Sequence, residues 1–231
     1  LEGKRAIITA GPTREPMDPV RYISNHSSGK MGFALAQAAA EAGAETILIS
    51  GPVMLDTPKG VTRINVETAL QMHEVCIDQI QKPTDLFVGS AAVADYRAEF
   101  NAPQKIKKVG DTLTLNLVRN PDIITEVAGS AHRPSLVVGF AAETEQLLEY
   151  AEGKRLTKQL DVVIANDVSQ ADIGFNSDIN GVTWLDDTGY DVMPLTTKQN
   201  LAKLLIERCR QKLSQPEDQN KHMSAPAEDN R

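Results

Sequence analysis

The chain has 231 residues, of which 41% are hydrophobic and 24% are charged. This composition supplies an ordinary core and contains no apolar run of the roughly 20 residues that a membrane span needs. Twenty-four Lys and Arg against 31 Asp and Glu give a net charge of -7, which argues against a broad basic surface for nucleic acid. We therefore expect one globular domain that binds neither nucleic acid nor a membrane, with any bound phosphate held by a local cluster of cations.

The cysteine content and the first residues bear on the cellular compartment. Cys76 and Cys209 lie far apart with no CxxC motif, and the opening residues 1–5 lack the long apolar core of a signal peptide. These features predict a cytoplasmic protein without a disulfide framework or a structural zinc.

In chain order, the predicted elements alternate between short apolar strands and helices. The predicted strands are 6–11, 46–51, 61–66, 85–93, 136–140 and 162–165. The predicted helices are 32–42, 67–81, 144–160 and 198–213. A polar loop from Pro12 to about Ser28 separates the first strand from the first helix. Strands spaced by helices in this way predict an α/β fold, an open doubly wound and mostly parallel Rossmann-like sheet with ligands at the carboxyl ends of its strands.

Other segments of the chain do not follow this alternation. The runs 182–185 and 190–193 flank an Asp/Gly-rich turn, which predicts an antiparallel hairpin at the edge of the sheet. A further strand-like run covers 113–117. Residues 214–231 contain Met223 as their one large apolar side chain, so we predict a domain over 1–213 followed by a disordered tail over 214–231.

The segment 28–32 opens the first predicted helix, where free backbone N–H groups and the helix dipole attract phosphate. The P-loop pattern fails here, because Ser24 replaces its first glycine and Met31 follows the lysine. The dinucleotide pattern has Ser27 in place of its first glycine and lies some 17 residues beyond the strand. A simpler interpretation is that the two remaining glycines allow the helix to pack closely on the sheet.

The basic run Lys105–Lys108 follows Pro103 in a polar stretch. A lysine run is usually a solvated surface. In an acidic protein it is also a reasonable basic flap for a polyphosphate, because other cations fall near predicted strand ends. Those cations are Arg21, Lys30, Lys154 and Lys158.

A second enzymatic interpretation comes from Tyr150 and Lys154, which have the YxxxK spacing of short-chain reductases. That class would need a glycine-rich turn directly after the first strand, and residues 11–15 do not form one. An NAD(P)-dependent oxidoreductase therefore stays the alternative function, and a nucleotide-sensing regulatory module is a third class.

Several longer segments are recognisable in order along the chain. They are 8–16, 18–25, 27–32, 91–97, 105–108, 120–123, 139–144 and 165–168. Together they resemble phosphopantothenoylcysteine synthetase over residues 4–213, and a match of this length is far more specific than a single glycine motif. Bacterial members of that family usually follow a flavin-dependent decarboxylase domain, so the resemblance implies such a fusion in the full-length protein.

The resemblance implies a ligase of coenzyme A biosynthesis. The carboxylate of 4'-phosphopantothenate would attack the α-phosphate of CTP and release pyrophosphate, and the amine of cysteine would then displace CMP from the acyl-cytidylate. Both substrates are anionic, so Mg²⁺ and local lysines would have to neutralise their charge. The family also implies a homodimer. Its members differ in using CTP or ATP, and the metal ligands stay open.

Matched position by position, the resemblance implies a set of site residues. Those for the nucleotide are Asp95, Lys105, Asn120, Pro121, Asp122, Ile123, Phe140, Lys154 and Lys158. Those for the acyl substrate are Arg21, Asn25, Ser28, Gly29, Lys30 and Ala91. Lys105 and Asn25 are the implied catalytic residues, with Asn25 donating a hydrogen bond to the acyl oxygen.

Two of these residues also have simpler interpretations. Asn25 could be a loop asparagine that bonds its own backbone. Phe140 ends a predicted strand and could belong to the core instead of covering a base.

Overall fold

The computed structural model describes residues 1–108, 110–143, 146–167 and 177–214. Its strands are β1 (Arg5–Ala10), β2 (Glu15–Pro16), β3 (Tyr22–Ile23), β4 (Glu45–Ser50), β5 (Val61–Asn65), β6 (Leu86–Gly89), β7 (Tyr96–Ala98), β8 (Leu117–Arg119), β9 (Leu136–Glu143), β10 (Val162–Asp167), β11 (Ile179–Asn180), β12 (Thr183–Asp186), β13 (Gly189–Val192) and β14 (Thr196–Thr197). Its helices are α1 (Lys30–Glu41), α2 (Ala69–Gln79), α3 (Ile123–Gly129), α4 (Leu147–Thr157) and α5 (Lys198–Leu213).

The central sheet has eight strands in the order β13-β12-β10-β9-β6-β1-β4-β5. The six strands from β10 to β5 are parallel, and the β12–β13 hairpin joins the sheet antiparallel at its edge. All six residues of β1 are buried, as a strand covered by helices on both faces requires. The predicted doubly wound α/β sheet with an antiparallel edge hairpin is confirmed.

Two core clusters lie on opposite faces of this sheet. On one face α1 and α5 pack against alternate residues of β1, including Ile8, whereas Ile7 faces α2, α3 and α4 on the other. The chain leaves β1 towards β4 and β5, and later returns to β6 on the other side of β1. The reversal between β1 and β6 is the topological switch point, where open α/β sheets bind their ligands.

Local packing explains the glycines that open α1. A Cβ on Gly32 would lie 2.5 Å from Cβ of Ala10, so α1 crosses the end of β1 at a distance that only glycine allows. Gly29 precedes the helix with φ at +76°, a conformation that glycine adopts without strain. The interpretation of Gly32 as a close-packing residue is therefore confirmed.

The structure differs from the predicted elements in several places. The loop 12–28 contains the short antiparallel pair β2–β3, and the strand expected over 85–93 ends at Gly89. The strand predicted over 113–117 is wrong for residues 113–116, because their apolar side chains have no sheet to cover. Strand β8 begins only at Leu117. Helix α3 was not predicted, since its seven residues span barely two turns.

The ends of other predictions fall beyond what the structure describes. The predicted tail continues past Ser214 into residues 215–231, which lie outside the described residues, as do 144 and 145 in the predicted helix 144–160. Among the described residues, no helix has the length and apolar character needed to cross a membrane.

Candidate functional site

A cleft of about 450 Å³ lies between α3 and α4, over the carboxyl halves of β6 and β9. Its lining contains all the residues expected for the nucleotide except Lys105, together with Ala91. The lining residues are Thr9, Phe87, Gly89, Ala91, Val93, Ala94, Asp95, Tyr96, Arg119, Asn120, Pro121, Asp122, Ile123, Ile124, Phe140, Lys154 and Lys158. Residues that are far apart in sequence thus meet on one side of the switch point.

An ion pair spans the cleft between its two helices. Lys158 follows α4, and its Nζ lies 2.7 Å from Oδ2 of Asp122. Asp122 also caps α3, since its side chain accepts a hydrogen bond from the Thr125 backbone N–H. Burial opposes ionisation of Asp122, but the Lys158 ammonium and the hydrogen bonds from Thr125 together lower the pKa of the carboxyl. The cleft therefore holds a charged pair whose lysine can turn towards an anionic ligand.

Lys154 and Phe140 meet at the strand end. Nζ of Lys154 donates to the carbonyl oxygen of Phe140 at 2.5 Å, which fixes the ammonium at the cleft wall. Phe140 is half-buried, lines the cleft and also packs against the core. The core interpretation of Phe140 therefore holds in part, and the same residue also lies at the cleft wall.

Asn120 ties together the rim of the cleft. Its Nδ2 donates to the Ala94 carbonyl at 2.8 Å, and its Oδ1 accepts from Nη1 of Arg97 at 3.0 Å. Its backbone N–H donates to the carbonyl of Asp95 at 2.8 Å. These bonds hold the residues after β6 and the end of β8 side by side, and they leave Asp95 exposed at the mouth.

Asn25 lies at the switch point but outside the cleft lining. Its Nδ2 donates to the Ala92 carbonyl at 2.5 Å, and its Oδ1 accepts from the Ser27 backbone N–H at 3.0 Å. The bond to Ser27 is the local backbone contact of the simpler interpretation. The bond to Ala92 is long-range, and it joins the β1–α1 loop to the segment that leaves β6.

Three further residues expected for the acyl substrate, Ser28, Gly29 and Lys30, follow Asn25 at the end of the same loop. Gly29 precedes α1, and Nζ of Lys30 lies 2.6 Å from Oδ1 of Asp178. Ser28 stands between Ser27 and Gly29 at this helix start. The loop thus presents the expected residues beside the cleft without lining it.

Arg21 and Lys105 lie on two segments that contact each other. The Arg21 guanidinium pairs with the buried Asp18 carboxylate and donates to the Ile106 carbonyl. Lys105 is exposed and precedes that carbonyl. The basic run is therefore attached to the β1–α1 loop, and not to the wall of the cleft.

Three polar residues of the cleft lining, Thr9, Tyr96 and Arg119, are not among the site residues predicted from the sequence. Oγ1 of Thr9 accepts from the Ala91 N–H at 3.1 Å. A hydrogen bond with Tyr96 raises the pKa of Arg119. The positions of two of them carry a signal, because Tyr96 lies in the recognised segment 91–97 and Arg119 directly precedes the segment 120–123.

The geometry also bears on the Tyr150–Lys154 pair of the oxidoreductase interpretation and on a metal site. Lys154 lines the cleft, but Tyr150 is an exposed residue outside that lining. Within the described ranges, no three His, Cys, Asp or Glu residues come together as a metal-binding group. The carboxylates of the cleft are Asp95 and Asp122. A magnesium ion that arrives on nucleotide phosphates needs only one or two protein carboxylates, so this donor set fits it.

The fold and the cleft define the class of protein. A doubly wound sheet with a polar cleft beside its switch point, and with lysines at the cleft wall, is typical of α/β proteins that bind phosphorylated small molecules.

Comparisons with known proteins identify the family. The chain belongs to the family described as DNA/pantothenate metabolism flavoprotein C-terminal domain, whose model matches residues 1–213. It is 56% identical over 211 residues to the coenzyme A biosynthesis bifunctional protein CoaBC of Escherichia coli K12, covering 90% of this chain and 52% of that protein. The CoaBC protein of Bacillus subtilis is 44% identical over 209 residues, covering 90% of this chain and 51% of that protein. The chain thus spans about half the length of these curated relatives.

Solved structures agree with this assignment. A crystal structure of the C-terminal domain of CoaBC is 38% identical with a TM-score of 0.78, covering 92% of this chain and 97% of that one. The DNA/pantothenate metabolism flavoprotein of Streptococcus pneumoniae shares the fold with a TM-score of 0.77 at 23% identity, covering 91% of this chain and 100% of that one. The resemblance seen in the sequence is confirmed at the level of the family.

Proposed function

We propose that this chain is a phosphopantothenate–cysteine ligase of coenzyme A biosynthesis that uses CTP and forms a 4'-phosphopantothenoyl-CMP intermediate. The observation that carries the proposal is the cleft. It gathers the residues expected for the nucleotide, and the loop with Asn25 borders it. The proposal is further supported by relatives that are named for coenzyme A biosynthesis.

In the first step, the carboxylate of 4'-phosphopantothenate attacks the α-phosphate of CTP and pyrophosphate leaves. Lys154 supplies positive charge at the cleft wall, where phosphate oxygens gain negative charge in the transition state, and Lys158 binds the phosphates equally in the ground state and the transition state. Lys105 adds charge from the basic run on the neighbouring segment. Asp95 would hold a Mg²⁺ ion that arrives with the nucleotide, and the ion would supply further charge neutralisation.

In the second step, the amine of cysteine attacks the acyl carbon and CMP leaves. An amide nitrogen carries two hydrogens, and Asn25 uses one of them for the Ala92 carbonyl. The second hydrogen can donate to the acyl oxygen as its negative charge develops. The bond to Ala92 then serves to orient the donor.

We also propose a homodimer. Exposed apolar side chains cluster on the two small ladders β2–β3 and β7–β8 and on the segments beside them. They are Val20, Tyr22, Tyr96, Phe100, Leu113 and Leu117. Burying such a surface against a second copy is favourable. Sedimentation at twice the chain mass of 25.1 kDa is the expected result, and sedimentation at 25.1 kDa would contradict it.

Further parts of the proposal concern the cellular context. The two cysteines are free and buried, which fits a cytoplasmic protein. The curated relatives are named bifunctional, and we propose that a flavin-dependent decarboxylase domain accompanies this one in the full-length protein.

The deciding assay is pyrophosphate release from CTP that requires both 4'-phosphopantothenate and cysteine for turnover. Tight NAD(P)H binding without pyrophosphate release would favour the oxidoreductase. CTP binding without release, with both substrates present, would favour a regulatory module. Competition between CTP and ATP in the same assay tests the choice of nucleotide.

A further inference from the structure

Asp18 is the most heavily bonded carboxylate around the proposed site, and its side chain has no solvent exposure. Its Oδ1 accepts from the backbone N–H groups of Val20 at 2.8 Å and Arg21 at 2.9 Å. Its Oδ2 accepts from the Ile106 N–H at 3.1 Å and from Nε of Arg21 at 3.0 Å, and Nη2 of Arg21 bonds the same oxygen. Five hydrogen bonds thus converge on this one carboxylate.

Arg21 also bonds to Ile106, the residue whose N–H donates to Asp18. Its Nη2 also donates to the Ile106 carbonyl at 3.1 Å. Both backbone polar groups of Ile106 thus bond to one ion pair that is 85 to 88 positions away in sequence. The ion pair holds the basic run 105–108 against the β1–α1 loop.

We propose that Asp18 is a positioning residue, which together with Arg21 forms a clasp that sets the position of Lys105 relative to the nucleotide. The inference rests on the proposed function, since Lys105 acts on the phosphates in the activation step. Lys105 is bonded through its peptide group to the clasped Ile106, so its backbone cannot move far while the clasp is closed. An exposed lysine placed in this way loses less conformational freedom when it meets its ligand.

The chemistry of the clasp requires a carboxylate and not merely a polar group. In Asp18→Asn the remaining side-chain oxygen can still accept from the backbone N–H groups of Val20 and Arg21, which preserves the tight turn of the loop. The new amide nitrogen, itself a donor, then faces the Ile106 N–H and the Arg21 guanidinium. The variant therefore opens the clasp and spares the turn.

The test joins a structural and a kinetic measurement on Asp18→Asn. Hydrogen exchange at the Ile106 amide should speed up, because that N–H loses its acceptor. In single-turnover experiments, acyl-cytidylate formation should slow at least about tenfold, the usual scale for a misplaced catalytic group. The affinity for CTP should change much less than the rate of activation, because the residues that line the cleft are untouched. A general loss of structure would instead lower affinity and rate together.

Asp85→Asn is the matched control. The Asp85 carboxylate accepts from Nζ of Lys4 and from the Arg5 backbone N–H, both at 2.8 Å, at the amino ends of β1 and β6. It loses a comparable ion pair far from the site, so exchange at Ile106 and the activation rate should match the parental protein. If Asp18→Asn does not fold, Arg21→Lys is the second variant. It keeps the positive charge, but it lacks the guanidinium that bonds both the Asp18 carboxylate and the Ile106 carbonyl.

Unchanged exchange at Ile106 in a folded Asp18→Asn would overturn the clasp. Faster exchange with a parental activation rate would overturn its positioning role. If the parental protein itself releases no pyrophosphate, the proposed function fails, and exchange at Ile106 alone still upholds or overturns the clasp.

Discussion

The cleft, on one side, and the β1–α1 loop with the basic run, on the other, are held in place by different forces. The cleft stands on β6 and β9, whose residues Val88 and Val138 are almost fully buried in the core. The basic run and the β1–α1 loop are fixed by polar contacts instead, chiefly the Asp18–Arg21 pair and the Asn25 amide. Core packing makes a region rigid over its whole length, whereas a few hydrogen bonds can open one at a time. The cleft is therefore held by the core as a whole, whereas the position of the loops depends on a few individual hydrogen bonds.

The largest effect that would test this contrast is expected for Lys105→Ala. Loss of one charged contact to the reacting phosphates removes roughly 3 kcal/mol of transition-state stabilisation, about a hundredfold in rate. Rapid-quench analysis should show acyl-cytidylate formation slowed by that factor, while processing of added intermediate is retained. Lys107→Ala, in the same exposed run, is the control for loss of charge alone. Normal accumulation of intermediate in Lys105→Ala would show that the basic run has another role.

The next effect in size concerns Asn25→Asp, which should slow the cysteine step more than activation. A carboxylate cannot donate to the acyl oxygen and repels its developing charge, at a cost of roughly tenfold to a hundredfold in rate. The measurement is the decay of added acyl-cytidylate in the presence of cysteine.

Ser24→Ala separates chemistry from loop order in that experiment. Oγ of Ser24 donates to the Thr13 carbonyl at 2.7 Å, so this variant also loses a loop hydrogen bond but keeps the amide of Asn25. Equal slowing in both variants would mean that Asn25 only holds the loop.

A smaller effect is expected on the cleft side from Lys158→Ala. Removal of Lys158 leaves the Asp122 carboxylate in the cleft without its partner, facing an anionic nucleotide. We expect the KM for CTP to rise about tenfold with a lesser change in kcat, since ground-state and transition-state binding are lost together. Lys4→Ala breaks a similar pair at the opposite end of the sheet and should leave the KM unchanged. A change in kcat alone would place Lys158 in the chemical step.

The smallest effect is a pH dependence confined to the clasp. The Arg21 guanidinium and the neighbouring N–H groups hold the pKa of Asp18 well below its ordinary value of 3.8. The ionised carboxylate therefore stabilises the closed clasp at neutral pH, and this contribution fades as the pH falls below about 4 towards the lowered value.

Hydrogen exchange at Ile106 measures this fading directly. The ratio of its rate in Asp18→Asn to the parental rate should be constant above about pH 5 and fall towards one in stronger acid. A ratio that instead changes near neutral pH would point to a different titrating group.

The sequence by itself determined the parts of this protein that depend on local pattern. Apolar runs such as 6–11 and 46–51 predicted parallel strands, and the Asp/Gly turn after residue 185 predicted the edge hairpin, because strand burial and turn chemistry are set by neighbouring residues. The resemblance predicted a set of site residues, and the structure brings members of that set such as Phe140 and Lys154 together in one cleft.

Only the tertiary structure decided how those residues are connected. The bonds from Arg21 and Asp18 to Ile106, and from Asn25 to Ala92, join positions 67 to 88 residues apart. No periodicity records such pairs, because a hydrogen bond needs only a donor and an acceptor at the right distance. The run 113–116 has the apolar alternation of a strand but does not form one, since a strand forms only where the fold supplies a partner edge. Local chemistry fixed the elements of this protein, and long-range polar contacts fixed the relation between the two parts of its site.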